Sequence, residues 1–325
     1  MGLKVATLPN YTAPYAQHQK YKTPLATYDL DQTVKGRLIA KLQLTGDSFQ
    51  LSGAQAKVAK KFLYVDLGGS EMGVDPQKCA NPGSGTGYFD RPDLRGYYIE
   101  KLVYSAWLQA AGQAPDPNRA SQNWSIQSEQ PESANQTGSI SSSLSYNING
   151  SAGFFGDTVT GNVGGGVTFG TSTSHTITDF TFSQRSDARV LRHEIVMSSA
   201  RDGTAYRSSS DLADPGSPNL LKAEPKLREL PIQALSNLPI PGQAVWMNDN
   251  DAGLAEQLVL HIEINPTYVV IEGAAGDGSL LAAGAAAVFN PAGAAGLAAK
   301  ALPHYKTIAL GGPWQHQVPI DLTLV

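Results

Sequence analysis

The chain has 325 residues and a formal net charge of -4, and 16% of its residues are charged, where a typical soluble domain carries about 25%. Apolar residues make up 41%, which is enough for a sizeable core and excludes a collagen, a coiled coil and a wholly disordered chain. The nearly balanced charge gives no electrostatic reason to bind nucleic acid. The single cysteine, Cys79, excludes an intramolecular disulfide and a thiolate zinc cluster.

The first residues of the chain do not have the pattern of a targeting segment. Residues 1–9 lack the basic start, the apolar block and the small-residue cleavage site of a secretory signal. No run of about 20 strongly apolar residues follows, as a transmembrane helix would require. The sequence therefore predicts a water-soluble protein that is either a mature form or leaves its cell by another route.

Strands with one buried face are predicted on both sides of the middle of the chain. In 34–44, 258–264 and 318–324, apolar residues alternate with polar or charged ones, which is typical of a sheet with one face in water. Further strand candidates are 97–108 and 190–197. The proline-containing stretches 114–117 and 214–218 are predicted to be loops.

The low charge of the chain is concentrated in one window. Residues 120–184 contain no lysine or arginine, and their acidic residues are Glu129, Glu132, Asp157 and Asp179. Ser, Gly, Thr and Asn dominate this window, and a flexible linker is one interpretation of that composition. The order of the residues favours another interpretation, because apolar and polar residues alternate with the period of two that is typical of a β-strand.

The alternation predicts an amphipathic hairpin. Its apolar face consists of Ile140, Leu144, Tyr146, Ile148, Ala152, Phe154, Val159, Val163, Val167 and Phe169. Its polar face consists of Ser143, Ser145, Asn147, Asn149, Ser151, Thr160, Asn162 and Thr168. The predicted tip consists of Phe155, Gly156 and Asp157. A two-residue turn at Gly156-Asp157 places Ile148 opposite Gly165, and a longer turn shifts this register without changing the faces.

A membrane-crossing hairpin is the function that this pattern favours. A transmembrane β-strand needs about 9–11 residues, with one face to lipid and the other to a water-filled lumen. Segments 144–154 and 159–169 have 11 residues each. One hairpin cannot close a barrel, and several copies of the chain must therefore assemble into a ring. The alternative is a long hairpin of an ordinary β-sandwich, with its apolar face on a core.

Two segments at the ends of the predicted hairpin carry a family resemblance. Residues 144–150 read Leu-Ser-Tyr-Asn-Ile-Asn-Gly, and residues 176–180 read Thr-Ile-Thr-Asp-Phe after a Gly-rich strand. Over 130–187 the chain thus resembles the leukocidin/hemolysin family of β-barrel pore-forming toxins. The stem of that family begins with a Tyr-x-Ile-Gly-Gly-like segment and ends in Tyr-x-Gln-Pro-Asp-Phe, of which the Gln-Pro is absent here. Aerolysin-like toxins are a close structural competitor.

The resemblance implies a mainly β fold with a β-sandwich cap, a rim and a central stem hairpin. It divides the chain into an N-terminal latch with the first part of the cap (1–133), a stem region (134–184) and the remainder of the cap (185–325), with the rim at about 200–251. It also implies a secreted cytolysin that binds a lipid or receptor of a target-cell membrane. Self-assembly into a heptameric or octameric ring is the further implication.

By position, the resemblance implies that Tyr206, Arg207 and Trp246 are rim residues that contact a lipid or receptor. An aromatic face beside a hydrogen-bond donor suits a phosphocholine head group. The alternative for Trp246, which lies between Val245 and Met247, is burial in the core.

Residues 274–302 depart from the family because they are rich in Ala and Gly and are interrupted by Asn290-Pro291. Alanine favours helix, and two short helices around Pro291 are therefore expected. A membrane-active role of this segment is the alternative, although alanine contributes little transfer free energy.

No pattern of catalytic or metal-ligating residues accompanies these features. The Gly-rich loop 83–87 lacks the Lys and the Ser or Thr of a phosphate-binding loop, and 249–253 has its glycine one position early for a calcium loop. The six histidines are dispersed, and His193 and His261 are interpreted as ordinary surface or core residues. His175 in the stem region is a candidate for pH-dependent assembly. We therefore expect no cofactor, no metal site and no enzymatic activity.

The sequence thus predicts a pore-forming toxin that is secreted as a soluble monomer, binds a membrane, oligomerises and inserts a hairpin from each protomer. The alternative is a non-lytic β-sandwich adhesin, or a carbohydrate- or receptor-binding module, with a long surface hairpin.

Overall fold

The computed structural model describes most of the chain. The described residues are 2–22, 29–50, 57–74, 95–131, 138–143, 146–148, 167–169, 172–177, 179–212, 228, 230–231, 234, 237–250, 252–255, 257–272, 304–309 and 313–325. The predicted loops 83–87 and 214–218 and the Ala/Gly-rich segment 274–302 lie outside them.

The described residues are mainly strands, which confirms the predicted fold class. The strands are β1 (Gly2–Thr7), β2 (Tyr11–Lys22), β3 (Asp29–Gln50), β4 (Lys57–Asp66), β5 (Ser70–Val74), β6 (Arg95–Ala110), β7 (Trp124–Gln130), β8 (Gly138–Ser143), β9 (Tyr146–Ile148), β10 (Val167–Phe169), β11 (Ser172–Ile177), β12 (Phe180–Gln184), β13 (Val190–Met197), β14 (Asn237–Ile240), β15 (Gln243–Asn248), β16 (Leu258–Glu272), β17 (His304–Ala309) and β18 (Trp314–Ile320). The helical turns are α1 (Ala252–Ala255) and the 3-10 turns Pro117–Arg119, Ser209–Leu212 and Leu322–Leu324. In this part of the chain no helix has the length and apolar character needed to cross a membrane.

The strands predicted from alternation are confirmed, with one difference at the C-terminus. The predicted strand 190–197 coincides with β13, and the other predictions fall within β3, β6 and β16. At the C-terminus β18 ends at Ile320, where the alternation had extended the strand to 324. The carboxylate of Asp321 accepts the backbone N–H of Thr323 and caps a 3-10 turn there. A local side-chain hydrogen bond of this kind competes with strand pairing.

The first of two large antiparallel sheets has eight strands and is organised around β3, which is 22 residues long. The first half of β3 pairs with β2 and β5, and its second half pairs with β1 and β4. The sheet continues from β5 to β14 and from β4 through β15 to β7. The N-terminal strands β1 and β2 are therefore part of this sheet.

The second large sheet has six strands in the order β12, β13, β6, β16 and β17, with β18 also paired with β16. Its centre is the pair of long strands β6 and β16, in which Arg95 lies opposite Glu272 and Ala110 opposite Leu258. Among the described residues, β8 also pairs with β11, and β9 pairs with β10.

One hydrophobic core joins the two large sheets into a β-sandwich. The core residues of the first sheet include Leu38, Leu42, Leu44, Leu63 and Val65, and those of the second include Leu102, Tyr104, Leu260, Ile262 and Ile264. Each large aliphatic side chain buried in this way contributes roughly 1.5–3 kcal/mol. The alternation in the sequence therefore corresponds to one face on the core and one in water.

Contacts between the sheets define one end of the sandwich, which we call the rim end. The Tyr97 hydroxyl donates a hydrogen bond to the carbonyl of Thr33 at 3.2 Å, so that the first residues of β6 and of β3 lie together. β13 also ends here, because Val196 is paired with Lys101 near the start of β6. The segment that follows β13 therefore leaves the sandwich at the rim end.

Candidate functional site

Two strand pairs in the predicted stem region share one antiparallel register. In the outer pair, β8 and β11, Gly138 lies opposite Ile177 and Ser143 opposite Ser172. In the inner pair, β9 and β10, Ile148 lies opposite Val167. Because the register is the same in both pairs, the described parts of the segments 138–148 and 167–177 are two arms of one ladder.

The predicted register is wrong by two residues, and the observed register leaves the predicted even/odd grouping of residues in β9 and β10 unchanged. Ile148 lies opposite Val167, not opposite Gly165. Registers that differ by two residues put the same side chains on the same face, so alternation alone cannot distinguish them. In the observed register Asn147 lies opposite Thr168, and the predicted polar residues are cross-strand neighbours.

The remaining predicted stem positions are only partly within the described residues. The backbone is described at Ile140, Ser143, Tyr146, Asn147, Ile148, Val167, Thr168 and Phe169, and at His175, which lies opposite Ile140. Outside the described residues lie Leu144, Ser145, Asn149, Ser151, Ala152, Phe154, Phe155, Gly156, Asp157, Val159, Thr160, Asn162 and Val163.

The exit from the stem region is fixed at Asp179, which has a φ of 66°. Asp tolerates this left-handed conformation better than most residues with a side chain. The Asp179 carbonyl accepts the backbone N–H groups of Ser198 and Ser199 at 2.7 and 3.2 Å. The Asp179 carboxylate also accepts the Ser199 hydroxyl at 2.8 Å. The next residue, Phe180, is buried in the core, and the exit of the stem region is thus tied to the start of the segment after β13.

Residues 198–212, which we call the rim loop, contain two of the predicted rim residues. Tyr206 is 9% exposed, and its hydroxyl donates to the carboxylate of Glu100 at 2.8 Å. The Tyr98 hydroxyl lies 2.7 Å from the hydroxyl oxygen of Tyr206. Glu100 has no paired residue in β16, because the register shifts between Thr267 and Tyr268. At this β-bulge the Glu100 side chain is directed to the rim loop. Burial raises the pKa of the Tyr206 hydroxyl. Tyr206 therefore anchors the rim loop to the sandwich.

Arg207, by contrast, is exposed on the rim loop. Its backbone N–H donates to the carboxylate of Asp211 at 2.6 Å, and the N–H of Ser208 donates to the same oxygen at 3.0 Å. These two hydrogen bonds lower the pKa of Asp211. The backbone is thus held by a local turn, and the Arg207 guanidinium is presented to solvent beside the anchored Tyr206.

Trp246 does not lie on the surface, and the interpretation as a core residue is the correct one. It is 0% exposed at the centre of β15, where it is paired with Leu63 on one side and Ile126 on the other. Its indole N–H donates to the carbonyl of Arg189 at 3.1 Å. A side chain that is fully buried in the core cannot contact a lipid head group while the sandwich is intact.

A buried polar cluster between the two sheets was not expected from the sequence. It consists of Tyr104, Glu129, Gln184 and His193, of which His193 is 0% exposed. Burial lowers the pKa of His193 to about 4. The sequence did carry a signal for this position, since His193 shares its alternation with Leu191, Ile195 and Met197 on the buried face of β13.

The described residues contain no group of three or more His, Cys, Asp or Glu side chains that could hold a metal ion. The Asp- and Asn-containing segment at 249–253 begins with a hydrogen-bonded turn. The Asn250 side-chain oxygen accepts the N–H of Gly253 at 3.2 Å, and its amide donates to Asn123 at 3.1 Å. Asn250 thus has the role of a cap for α1.

Known proteins resemble the chain in structure and not in sequence. No protein-family model matches it, and no curated protein matches it. Among solved structures it is similar to a protein described as "Pore forming protein", at 11% identity over 97% of this chain and 94% of the other, with a TM-score of 0.41. It is also similar to the membrane-inserted form of the Clostridium perfringens NetB toxin, at 11% identity over 94% of each chain, with a TM-score of 0.36. A third similar structure is Clostridium perfringens delta-toxin, at 10% identity over 99% of this chain and 94% of the other, with a TM-score of 0.40.

We expect Tyr206→Phe to lower the free energy of unfolding by about 1–3 kcal/mol, because the Glu100 carboxylate loses a hydrogen-bond donor at a largely buried position. Urea denaturation followed by tryptophan fluorescence measures this change. The neighbouring variant Arg207→Gln is the control and should remain within about 0.5 kcal/mol of the original protein, because its side chain is exposed. Equal destabilisation by the two variants would contradict the anchoring role of Tyr206.

Proposed function

We propose that this protein is a pore-forming toxin that converts from a soluble monomer into a ring whose protomers each insert a hairpin into a target-cell membrane. The observation that carries the proposal is the single register of β8–β11 and β9–β10. In this register apolar Ile148 and Val167 are cross-strand neighbours, as are polar Asn147 and Thr168. Both arms lie in a window, residues 120–184, that contains no lysine or arginine.

The proposed insertion is driven by the physical chemistry of the two faces. The apolar face gains free energy when it leaves water for the hydrocarbon of the bilayer. The polar face stays hydrated in the lumen, and closure of the barrel satisfies every backbone hydrogen-bonding group that an open hairpin would leave unpaired. Closure with only two strands from each protomer requires a homo-oligomeric ring. The energy comes from folding and burial, and no cofactor or enzymatic step is involved.

We assign the first membrane contact to the rim loop. It is tied to the exit of the stem region through Asp179 and Ser199, and it presents Arg207 to solvent. A guanidinium forms strong charge-assisted hydrogen bonds with phosphate oxygens, which lipid head groups provide. Contact of Arg207 with a membrane would therefore bring the stem region close to the same surface.

Dye release from liposomes tests the proposed function. We expect leakage, together with an oligomer that resists SDS, from at least one of several lipid compositions. A binding module with a long surface hairpin would attach to liposomes or to a receptor without leakage or a stable ring. Absence of both leakage and oligomer across all compositions would therefore contradict pore formation.

Fluorophore labelling tests the two faces directly. Cys79→Ser removes the one native thiol, after which Ile148→Cys and Asn147→Cys each offer a single labelling site. An environment-sensitive dye at position 148 should shift to the blue in liposomes, while the same dye at position 147 should keep the emission of a hydrated site. The two positions are adjacent, which makes each the control for the other. The same shift at both positions would contradict the assigned faces.

A further inference from the structure

The backbone of Asp179 has an unusual conformation at the boundary between the stem region and the sandwich. Among the described residues, Asp179 is the only one other than glycine that has a positive φ, which is 66°. It lies between β11, which ends at Ile177, and β12, which begins at Phe180. In the described part of the chain β11 pairs with β8 of the stem region, while β12 pairs with β13 of the second large sheet. Asp179 is therefore located where the chain passes from one ladder to another.

The exit from the stem region is a shorter connection than its entry. β7 ends at Gln130 and β8 begins at Gly138, whereas Ile177 and Phe180 at the exit are only three positions apart. Three positions of chain span at most about 11 Å, so that β11 stays close to β12. The direction of β11 then depends on very few backbone dihedral angles. The conformation of Asp179 is one of the determinants of that direction.

Hydrogen bonds hold Asp179 in its left-handed conformation, which is costly for most residues that have a Cβ. The Asp179 carbonyl accepts the backbone N–H groups of Ser198 and Ser199 at 2.7 and 3.2 Å. The Asp179 carboxylate accepts the Ser199 hydroxyl at 2.8 Å. Ser199 is buried, which protects these hydrogen bonds from competition by water. Two consecutive serines thus hold both the backbone and the side chain of Asp179.

The same two serines begin the rim loop and connect Asp179 to its anchored part. The Ser198 carbonyl accepts the backbone N–H of Tyr206 at 2.8 Å. Tyr206 is in turn held by Glu100, and the residue that follows it is the exposed Arg207. Asp179 is therefore two backbone hydrogen bonds away from Tyr206. The exit of the stem region and the proposed membrane contact belong to one hydrogen-bonded unit.

We propose that Asp179 is a positioning residue for pore formation, whose left-handed backbone directs the stem region and holds it in a fixed orientation relative to the rim loop. This role rests on the proposed function, in which Arg207 makes the first membrane contact. While Asp179 keeps its conformation, binding of the rim loop also sets the direction from which the stem region meets the bilayer. If that conformation is lost, the rim loop still binds but the stem region is misdirected.

Three substitutions separate the backbone of Asp179 from its carboxylate. Glycine adopts a positive φ without the penalty of a Cβ, but it has no carboxylate. Alanine also has no carboxylate, and its Cβ disfavours the left-handed conformation. Asparagine tolerates that conformation and keeps a side-chain oxygen that can accept the Ser199 hydroxyl. Asp179→Ala and Asp179→Gly therefore differ only in the backbone preference, and Asp179→Asn is the conservative variant.

Dye release at equal amounts of liposome-bound protein measures the positioning role. We expect Asp179→Ala to release dye about 5- to 30-fold more slowly than Asp179→Gly, the ratio that corresponds to the left-handed penalty of a residue with a Cβ. Asp179→Asn should restore release to nearly that of the original protein. Liposome binding should be the same for all variants, because Arg207 is unchanged. A purely structural role of the carboxylate predicts equal release from the alanine and glycine variants, and that result would overturn the proposal.

Hydrogen exchange in solution tests the conformation of Asp179 without a membrane. The amides of Ser198 and Ser199 donate to the Asp179 carbonyl, and their protection should be about 5- to 30-fold lower in Asp179→Ala than in Asp179→Gly. The amide of Ile195 is the control, since β13 is paired on both sides and should stay protected in both variants. Equal protection of the serine amides in the two variants would contradict the proposal.

Two further outcomes are distinguished by the same measurements. If Asp179→Ala does not fold, Ser199→Ala takes its place, because it removes the hydrogen bond to the carboxylate and should slow dye release about 5-fold or more. Unchanged release from Ser199→Ala would then overturn the proposal. If the original protein releases dye from no liposome, pore formation is contradicted. Lower serine protection in Asp179→Ala than in Asp179→Gly would in that case still support the connection between the stem exit and the rim loop.

Discussion

Ile148→Lys is expected to abolish dye release while leaving the soluble protein folded. Ile148 lies on the proposed lipid face, opposite Val167. A lysine at the midplane of the bilayer costs about 2–4 kcal/mol in a β-barrel strand, and the cost recurs for every protomer in the ring. Dye release and circular dichroism of the same preparation measure the two parts of this expectation.

Asn147→Lys is the matched control, because it adds the same charge one residue away on the proposed lumen face. We expect dye release to persist. A ring of lysines in the proposed lumen should favour anions, whereas weak selectivity is expected of the pore formed by the original protein, and reversal potentials in single-channel recording measure the difference. If Asn147→Lys lost dye release while Ile148→Lys retained it, the lipid and lumen faces would have to be assigned the other way round. Retention of dye release in both variants would contradict insertion of the hairpin into the membrane.

Trp246→Ala is expected to lower the free energy of unfolding by about 3–5 kcal/mol, the range for removing a large aromatic side chain from a core. The indole is 0% exposed in the hydrophobic core, so that its loss leaves a cavity there. Urea denaturation measures the change. Liposome binding per folded molecule should be unchanged.

Trp246→Phe separates the packing of this residue from its hydrogen bond. The phenyl ring fills most of the site but cannot donate to the Arg189 carbonyl, and a loss of about 1 kcal/mol is expected. If either variant lost liposome binding without being destabilised, the result would support Trp246 as a residue that contacts the membrane and would contradict its assignment to the core.

Local alternation predicted the strands well because it reflects a local cause. In β13, the residues Leu191, Ile195 and Met197 face the core and Arg192 faces water, and no distant information is needed to see this. The end of β18 was missed, since the Asp321 side chain favours a turn over the pairing that the alternation had extended.

The register of the hairpin and the His193 cluster could not be predicted for two different reasons. Alternation has a period of two, and it therefore cannot distinguish registers that differ by two residues. The cluster depends on Glu129 and His193 meeting across two sheets, although they are far apart in the chain. Such a contact follows from the topology of the sandwich and not from any local pattern.

The rim was the part least accessible to sequence reasoning. Tyr206 and Trp246 are both aromatic residues in the expected region, yet the structure buries both. Tyr206 is anchored through Glu100, whose availability depends on a bulge opposite β16. Of the three rim candidates, Arg207 alone has the exposure that a head-group contact requires.

Under the proposed function, the common register of β8–β11 and β9–β10 limits how the hairpin can adapt to bilayers of different thickness. Loss of one residue from an arm would turn every residue beyond it to the opposite face, so that Asn147 and Ile148 would exchange environments. Loss or gain of two residues in each arm keeps both faces. Evolutionary changes in the length of the hairpin are therefore restricted to steps of about 7 Å along each strand.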